Sequence, residues 1–328
     1  MSRPPAARSV AGIGAALRAL LVDGDLDLPR PGDGRTAQRW AAFAAWAQRD
    51  LTLARLAEGH CDAVSILAEG GRLPAAGMLY GVWAARSGDT ATRLRRGPDG
   101  LVMTGTVRFC SGATSLDRAL VVADQPGDAT GGPLLVEVAL PDGRVRPRPE
   151  IWQTAAMDAA DSQDVDFDDV PVAPTNVVGD PGWYTTRPGF AVGGGGVAAV
   201  WWGGAVGVVD RVSSHLGDVP DAHQLAHLGE LHALLQAADA LLGRTAAAID
   251  AEPGADHRLA VAILRSGVEH CVRAVLDQAP RMVGPAPLSR DARLARALAD
   301  LQLYVRQHHG ERDFAALGEQ VLTQWRER

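Results

Sequence analysis

The chain has 328 residues, room for about two domains and a sizeable core. An apolar fraction of 47% with 22% charged residues excludes wholesale disorder. A net charge of −7 with no lysine leaves no basic footprint for nucleic acid. Cys61, Cys110 and Cys271 are too scattered for a zinc site and too few for a disulfide framework, so a reducing cytoplasm is the expected compartment.

The N-terminus opens on basic residues, but Arg18 interrupts its apolar run and no small-residue cleavage site follows, which predicts an amphipathic helix rather than an export signal. From Thr36 to Glu69, Trp40, Phe43, Ala47, Leu51 and Ala54 recur at helical steps, and Gly70-Gly71 ends the run. Between Met78 and Val172 the texture changes to short strands and turns: LVMTGTVRF after Pro98-Asp99-Gly100, RALVVA, GPLLVEVAL before Pro141-Asp142-Gly143, and VDFDDVPV. Gly179-Asp180-Pro181-Gly182 then forms a hinge. Helices return at 190–213, about 221–250, about 256–279 and about 290–325.

Residues 189–209 carry no charge, long enough for a membrane span, yet eight glycines without Leu or Ile make a poor lipid-facing helix. A buried bundle helix and no membrane contact are expected. The strands do not alternate with helices and no G-x-G-x-x-G opens a helix, so a dinucleotide fold is disfavoured. Gly193–Gly196 reads as close helix packing.

His223, His227 and His232 share a helix, but no glutamate occupies the H-E-x-x-H position and no metal is expected. Nucleophile elbow, P-loop and paired CxxC motifs are absent. The Arg144, Arg146, Arg148 run reads as a solvated strand edge, where proline blocks further pairing.

The informative block is 101–123, a strand, a loop on Phe109-Cys110-Ser111-Gly112, and a second strand, followed by 151–190 with Asp166-Phe167-Asp168-Asp169-Val170-Pro171-Val172 and the turn Asn176-Val177-Val178-Gly179. This succession resembles the central β-domain of the acyl-CoA dehydrogenase superfamily, in which a loop with an aromatic and a hydroxyl residue precedes one strand and an "F-d-d-V-x-V-P" strand leads into a long helix. The resemblance implies an α+β fold: an N-terminal helical domain (1–77), a β-barrel-like domain (78–180) and a C-terminal helical bundle (181–328). It implies FAD as cofactor, with Phe109 as an apolar wall and Cys110, Ser111 and Gly112 in the cofactor loop, Ser111 donating near the flavin N5.

The implied activity is α,β-oxidation of an acyl thioester or similar small acyl substrate, CoA- or carrier-linked. The alternatives are a flavin monooxygenase of the same fold and a degenerate binding or assembly subunit. The family pairs through its C-terminal helices. Helix 190–213 and the stretch Leu225 to Leu242 offer more apolar face than one bundle needs, so a homodimer or a dimer of dimers is expected.

The departures are equally specific. The segment before the loop keeps only a small-residue-plus-Asp tail in GVWAARSGD, the arginine motif that grips the flavin pyrophosphate is missing, and the turn toward a neighbouring FAD survives only as Gln278 and Met282-Val283-Gly284-Pro285. The family's catalytic glutamate has no counterpart after the β-domain. Counting on from Ser289-Arg290-Asp291-Ala292 reaches Asp300, a shorter carboxylate. Leu294, Leu298, Leu301 and Val305 form a stripe that His308 would continue, with Asp300 on its flank. Asp300 and His308 are therefore the candidate bases.

Overall fold

The structure is a computed structural model that describes residues 8–86, 91–97, 100–125 and 131–327. The basic start of the chain, the Pro98-Asp99 turn and the Ser87-Gly88-Asp89 tail lie outside the described residues.

Ten α-helices and eight strands are described: α1 (Val10–Val22), α2 (Thr36–Arg49), α3 (Leu51–Glu69), β1 (Tyr80–Trp83), β2 (Thr92–Gly97), β3 (Gly100–Cys110), β4 (Arg118–Ala123), β5 (Leu134–Ala139), β6 (Val145–Arg148), β7 (Gln163–Val172), β8 (Val177–Val178), α4 (Trp183–Thr186), α5 (Gly189–Ser213), α6 (Ala222–Ala251), α7 (Arg258–Val283), α8 (Pro285–Arg290), α9 (Ala292–Tyr304) and α10 (Glu311–Arg326). They fall into two compact units. One takes residues 1–27, 55–154 and 158–187, the other 28–54, 155–157 and 188–328, so the first 77 residues are shared between the two.

The first unit holds two four-stranded sheets, ordered β1-β4-β5-β8 and β2-β3-β7-β6. Among the described strands β1 and β4 pair in parallel and the other strand pairs are antiparallel, with a parallel bridge between Arg93 and Asp124. Along β3 the partners on β7 shift between Met103 and Gly105 and again between Val107 and Cys110. Gly105 takes φ +114°, where a Cβ would run into the Ala91 carbonyl, so glycine is required at the first irregularity. Ala63, Ile66 and Leu67 of α3 pack on Tyr80, Leu120, Leu135 and Val178 to make the core of the first sheet.

Inside this core Glu137 is buried and triply engaged. It accepts from Arg72 at 2.6 Å, Arg118 at 3.1 Å and the Tyr80 hydroxyl at 2.8 Å. Burial, with the Glu137 carboxylate alongside, pushes the Tyr80 phenol up to about 12, so it stays a donor at neutral pH. At the outer edge of the second sheet, Arg146 pairs with Asp168 at 2.7 Å and Arg148 with Asp166 at 2.6 Å. The arginine run is the expected edge strand, its charges met by carboxylates on β7.

The second unit is helical, and α5 runs through it. Gly195 faces the Trp40 ring, Gly196 the Phe43 ring, and a Cβ at Gly203 would lie 2.5 Å from the Ala44 Cα. At Gly207 a Cβ would meet the Gln48 carbonyl at 2.6 Å. Small residues at 196, 199, 203 and 207 thus let the α2 and α5 backbones touch. Of the described helices only α5 is long and apolar enough to cross a membrane, and 72% of its apolar window is buried inside the protein.

Two long helices expected from periodicity are broken. The 36–69 run stops at Asp50, whose extended backbone ends α2 while its carboxylate accepts from Thr52 and Leu53 N–H at 2.8 and 3.1 Å to open α3. The 290–325 run breaks after Tyr304. A 3-10 turn, extended backbone at His308 and φ +57° at Gly310 separate α9 from α10. Hydrophobic spacing survives such breaks, which is why periodicity alone missed them.

Candidate functional site

Phe109 and Cys110 end β3 and Ser111 and Gly112 open the turn after it, and residues 160–163 hold this segment from the other side. Gly112 N–H donates to the Ala160 carbonyl at 2.8 Å and Ala113 N–H to the Asp161 carbonyl at 3.2 Å. The Asp161 carboxylate takes the Thr114 N–H and hydroxyl at 2.8 and 2.6 Å, and also the Gln163 side-chain amide. Gly112 needs its φ of +74°, and a Cβ there would press on the Leu116 side chain at 2.8 Å.

Within this frame the four loop residues play different parts. Phe109 sits at φ +58° and is 58% exposed. A bulky residue in the left-handed region is strained by about 1 kcal/mol or more, and such strain is stored where a side chain must face a ligand. Cys110 points into the core. Burial, with the Asp164 charge nearby, pushes its thiol well above the ordinary value, so it is an inert neutral group and only its backbone can serve a ligand. Ser111 is fixed at its carbonyl by the Trp83 indole N–H at 3.1 Å, and its hydroxyl lies 2.8 Å from that of Ser162.

Ser111 lines a small cleft walled by Arg55, Gly59, Gly81, Trp83 and Leu116. A Cβ at Gly81 would meet Leu116 at 2.7 Å and the Trp83 indole nitrogen at 3.0 Å, so the cleft exists because that position lacks a side chain. Arg55 is held toward Glu58 at 2.8 Å. The Gln163 Oε1 nearby on β7 is buried with no hydrogen-bond partner, an acceptor in search of a donor. Sequence reasoning passed over Ser162 and Gln163, which stand just ahead of the Asp166-Phe167-Asp168-Asp169 stretch.

The two candidate bases lie in the helical unit. Asp300 is not on a solvated flank: it is 2% exposed, and its carboxylate accepts the backbone N–H of Met157, a residue at φ +50°. His308 lies beyond the end of α9. Its Nδ1 accepts from Gly310 N–H at 3.2 Å, which places the ring hydrogen on Nε2, donating to Ser266 Oγ at 3.2 Å. Phe314 packs edge-on at 5.1 Å between centroids.

Burial pushes the His308 pKa below its ordinary value, against the pull of Asp313 and Glu269. The unfolded chain then binds the proton that the folded chain refuses, so stability is full above about pH 6.5 and falls as pH drops below it. Denaturation midpoints at pH 7.5 and 5.5 are expected to differ more for the wild type than for His308→Asn. Equal differences would remove His308 from this account.

The remaining sequence candidates have structural occupations. Gln278 bonds His227 across α6 and α7 at 3.2 Å, while Met282 and Val283 continue α7 before Gly284 ends it. No group of three metal-ligating side chains occurs among the described residues.

The helical and sheet units, in this order, make the fold of the acyl-CoA dehydrogenase superfamily. Residues 180–305 match the family model for the acyl-CoA dehydrogenase C-terminal domain. The chain is similar to KijD3, solved with FMN and dTDP-3-amino-2,3,6-trideoxy-4-keto-3-methyl-D-glucose, at 21% identity over 94% of this chain and 86% of that one, with a TM-score of 0.82. It is also similar to FMN-bound TdsC from Paenibacillus sp. A11-2, a dibenzothiophene monooxygenase, at 17% identity over 96% of each chain and a TM-score of 0.76. The nitrososynthase from Micromonospora carbonacea var. africana aligns at 17% identity over 98% of each chain, with a TM-score of 0.74. No curated protein matches the chain.

Proposed function

We propose that the chain is a flavin-dependent oxidoreductase that binds FMN against the Phe109–Gly112 loop and oxygenates a small molecule. The observation that carries this reading is a strained, exposed aromatic, Phe109, at the end of β3, two positions before a cleft-lining serine, Ser111. The residues suit a flavin: an apolar wall, a hydroxyl donor and an unmet buried acceptor on Gln163. The bound cofactor, when reduced, supplies the two electrons with which dioxygen yields one oxygen atom to the substrate and one to water. The chain's own part is to orient the ring with Phe109, donate from Ser111, and keep the Cys110 thiol neutral and out of the chemistry.

FMN is favoured over FAD because the chain lacks the arginine motif for the pyrophosphate, and Gln278 is engaged by His227 instead of being left for a dinucleotide. Oxygenation is favoured over dehydrogenation because Asp300, the counterpart of a proton-abstracting base, is buried on the Met157 amide. The FMN-bound and monooxygenase neighbours support both preferences.

The acyl-CoA dehydrogenase reading, with an acyl substrate and Asp300 as base, has the match over 180–305 in its favour. Self-association belongs to either reading. Exposed apolar residues that could serve it are Phe190 of α5, Leu225 of α6, and Phe314, Leu322 and Trp325 of α10. A cytoplasmic setting accords with three buried free cysteines.

The discriminating experiment pairs an anaerobic titration with acyl-CoA and an aerobic turnover assay. Acyl-CoA is expected to leave oxidised flavin coloured, and Asp300→Asn, which keeps an oxygen acceptor for the Met157 amide, is expected to keep oxygen-dependent turnover of reduced flavin within about twofold. Bleaching by acyl-CoA that Asp300→Asn abolishes would establish the dehydrogenase instead.

A further inference from the structure

Ser111 and Ser162 form a buried hydroxyl pair 2.8 Å apart, and neither hydroxyl has another partner among the described residues. Two hydroxyls carry two hydrogens, and their mutual bond uses one. The pair therefore always has a single O–H left to give. Ser111 lines the cleft and Ser162 does not, so an acceptor in the cleft can take only the Ser111 hydrogen. That hydrogen is free only when Ser162 donates to Ser111.

Ser162 is well placed to do so. Its neighbours Ala160 and Asp161 are locked to Gly112, Ala113 and Thr114 by the bonds that hold the loop, and both serines are about nine-tenths buried, where water does not compete. We propose that Ser162 is a positioning residue whose hydroxyl donates to Ser111 and thereby commits Ser111 to donate to the ligand in the cleft. The inference rests on the flavin reading and deepens it, assigning to the loop a second hydroxyl that acts through the first. A donor chain polarises along its length, so an acceptor at its end is held more firmly than by an isolated serine.

The test is a set of FMN titrations by fluorescence, with the absorption envelope of bound FMN, on the wild type, Ser111→Ala, Ser162→Ala, the double variant and Ser162→Thr. Ser162→Ala is expected to weaken FMN about fivefold, because Ser111 loses the partner that fixes its hydroxyl toward the cleft. It should also shift the flavin envelope in the same direction as Ser111→Ala. The double variant should bind as Ser111→Ala does, because Ser162 works only through Ser111. Ser162→Thr, which restores the hydroxyl, should recover both readouts. Wild-type affinity and spectrum in Ser162→Ala would overturn the inference and leave the flavin reading standing, as would multiplied losses in the double variant. A wild type that binds no FMN would overturn the flavin reading itself. If Ser162→Ala fails to fold, Ser162→Cys, close in volume but a weak donor, takes its place and should bind between the wild type and Ser111→Ala.

Discussion

Glu137→Ala is expected to lower unfolding stability by about 3 kcal/mol, because it strands two guanidinium groups and a phenol that one buried carboxylate now serves. Arg72 and Arg118 keep 25% and 30% of their side-chain surface exposed, so water recovers part of the loss and holds the cost at the lower end for a broken buried pair. Glu137→Gln keeps an acceptor for the Tyr80 hydroxyl and should cost clearly less. Chemical denaturation of the two variants orders them. Equal stability of wild type and alanine variant would mean that the network does not hold the first sheet to α3.

Gly203→Val has a comparable expected cost, about 3 kcal/mol, the upper end of the usual penalty for overpacking. The obstacle at this position is the Ala44 backbone, which cannot swing aside as a side chain can. Gly243→Val, on the exposed face of α6 with nothing within 4 Å of a Cβ, serves as the control and should be neutral or slightly stabilising, because valine is the better helix former. Thermal unfolding separates the cases. A Gly203→Val protein as stable as the control would show that α2 and α5 do not meet through their glycines.

Much of this molecule was legible in the sequence. The glycine run 193–196 lies where close helix packing demands it, and the Arg144–Arg148 segment is a charge-matched sheet edge. Phe109 and Ser111 sit on the loop the family pattern assigned to them. What stayed hidden depends on tertiary partners. Helix spacing carried through Asp50 and through 305–310, because an apolar stripe continues past a break that only capping and backbone strain create. The burial of Asp300 was hidden because its place on the helix says nothing of Met157, distant in sequence yet bonded to it. Ser162 was passed over until its hydroxyl was found 2.8 Å from that of Ser111.

The central claim is that a flavin binds against the Phe109–Gly112 loop, and isothermal titration of the purified wild type and of Phe109→Gly with FMN tests it most directly. Glycine relaxes the positive φ at 109, so Phe109→Gly should gain about 1 kcal/mol of stability by removing backbone strain. It should also bind FMN at least about tenfold more weakly, because the apolar wall is gone. Gained stability together with lost affinity is the predicted result. Unchanged affinity in the Phe109→Gly variant, or a wild type that takes up no FMN, would contradict it.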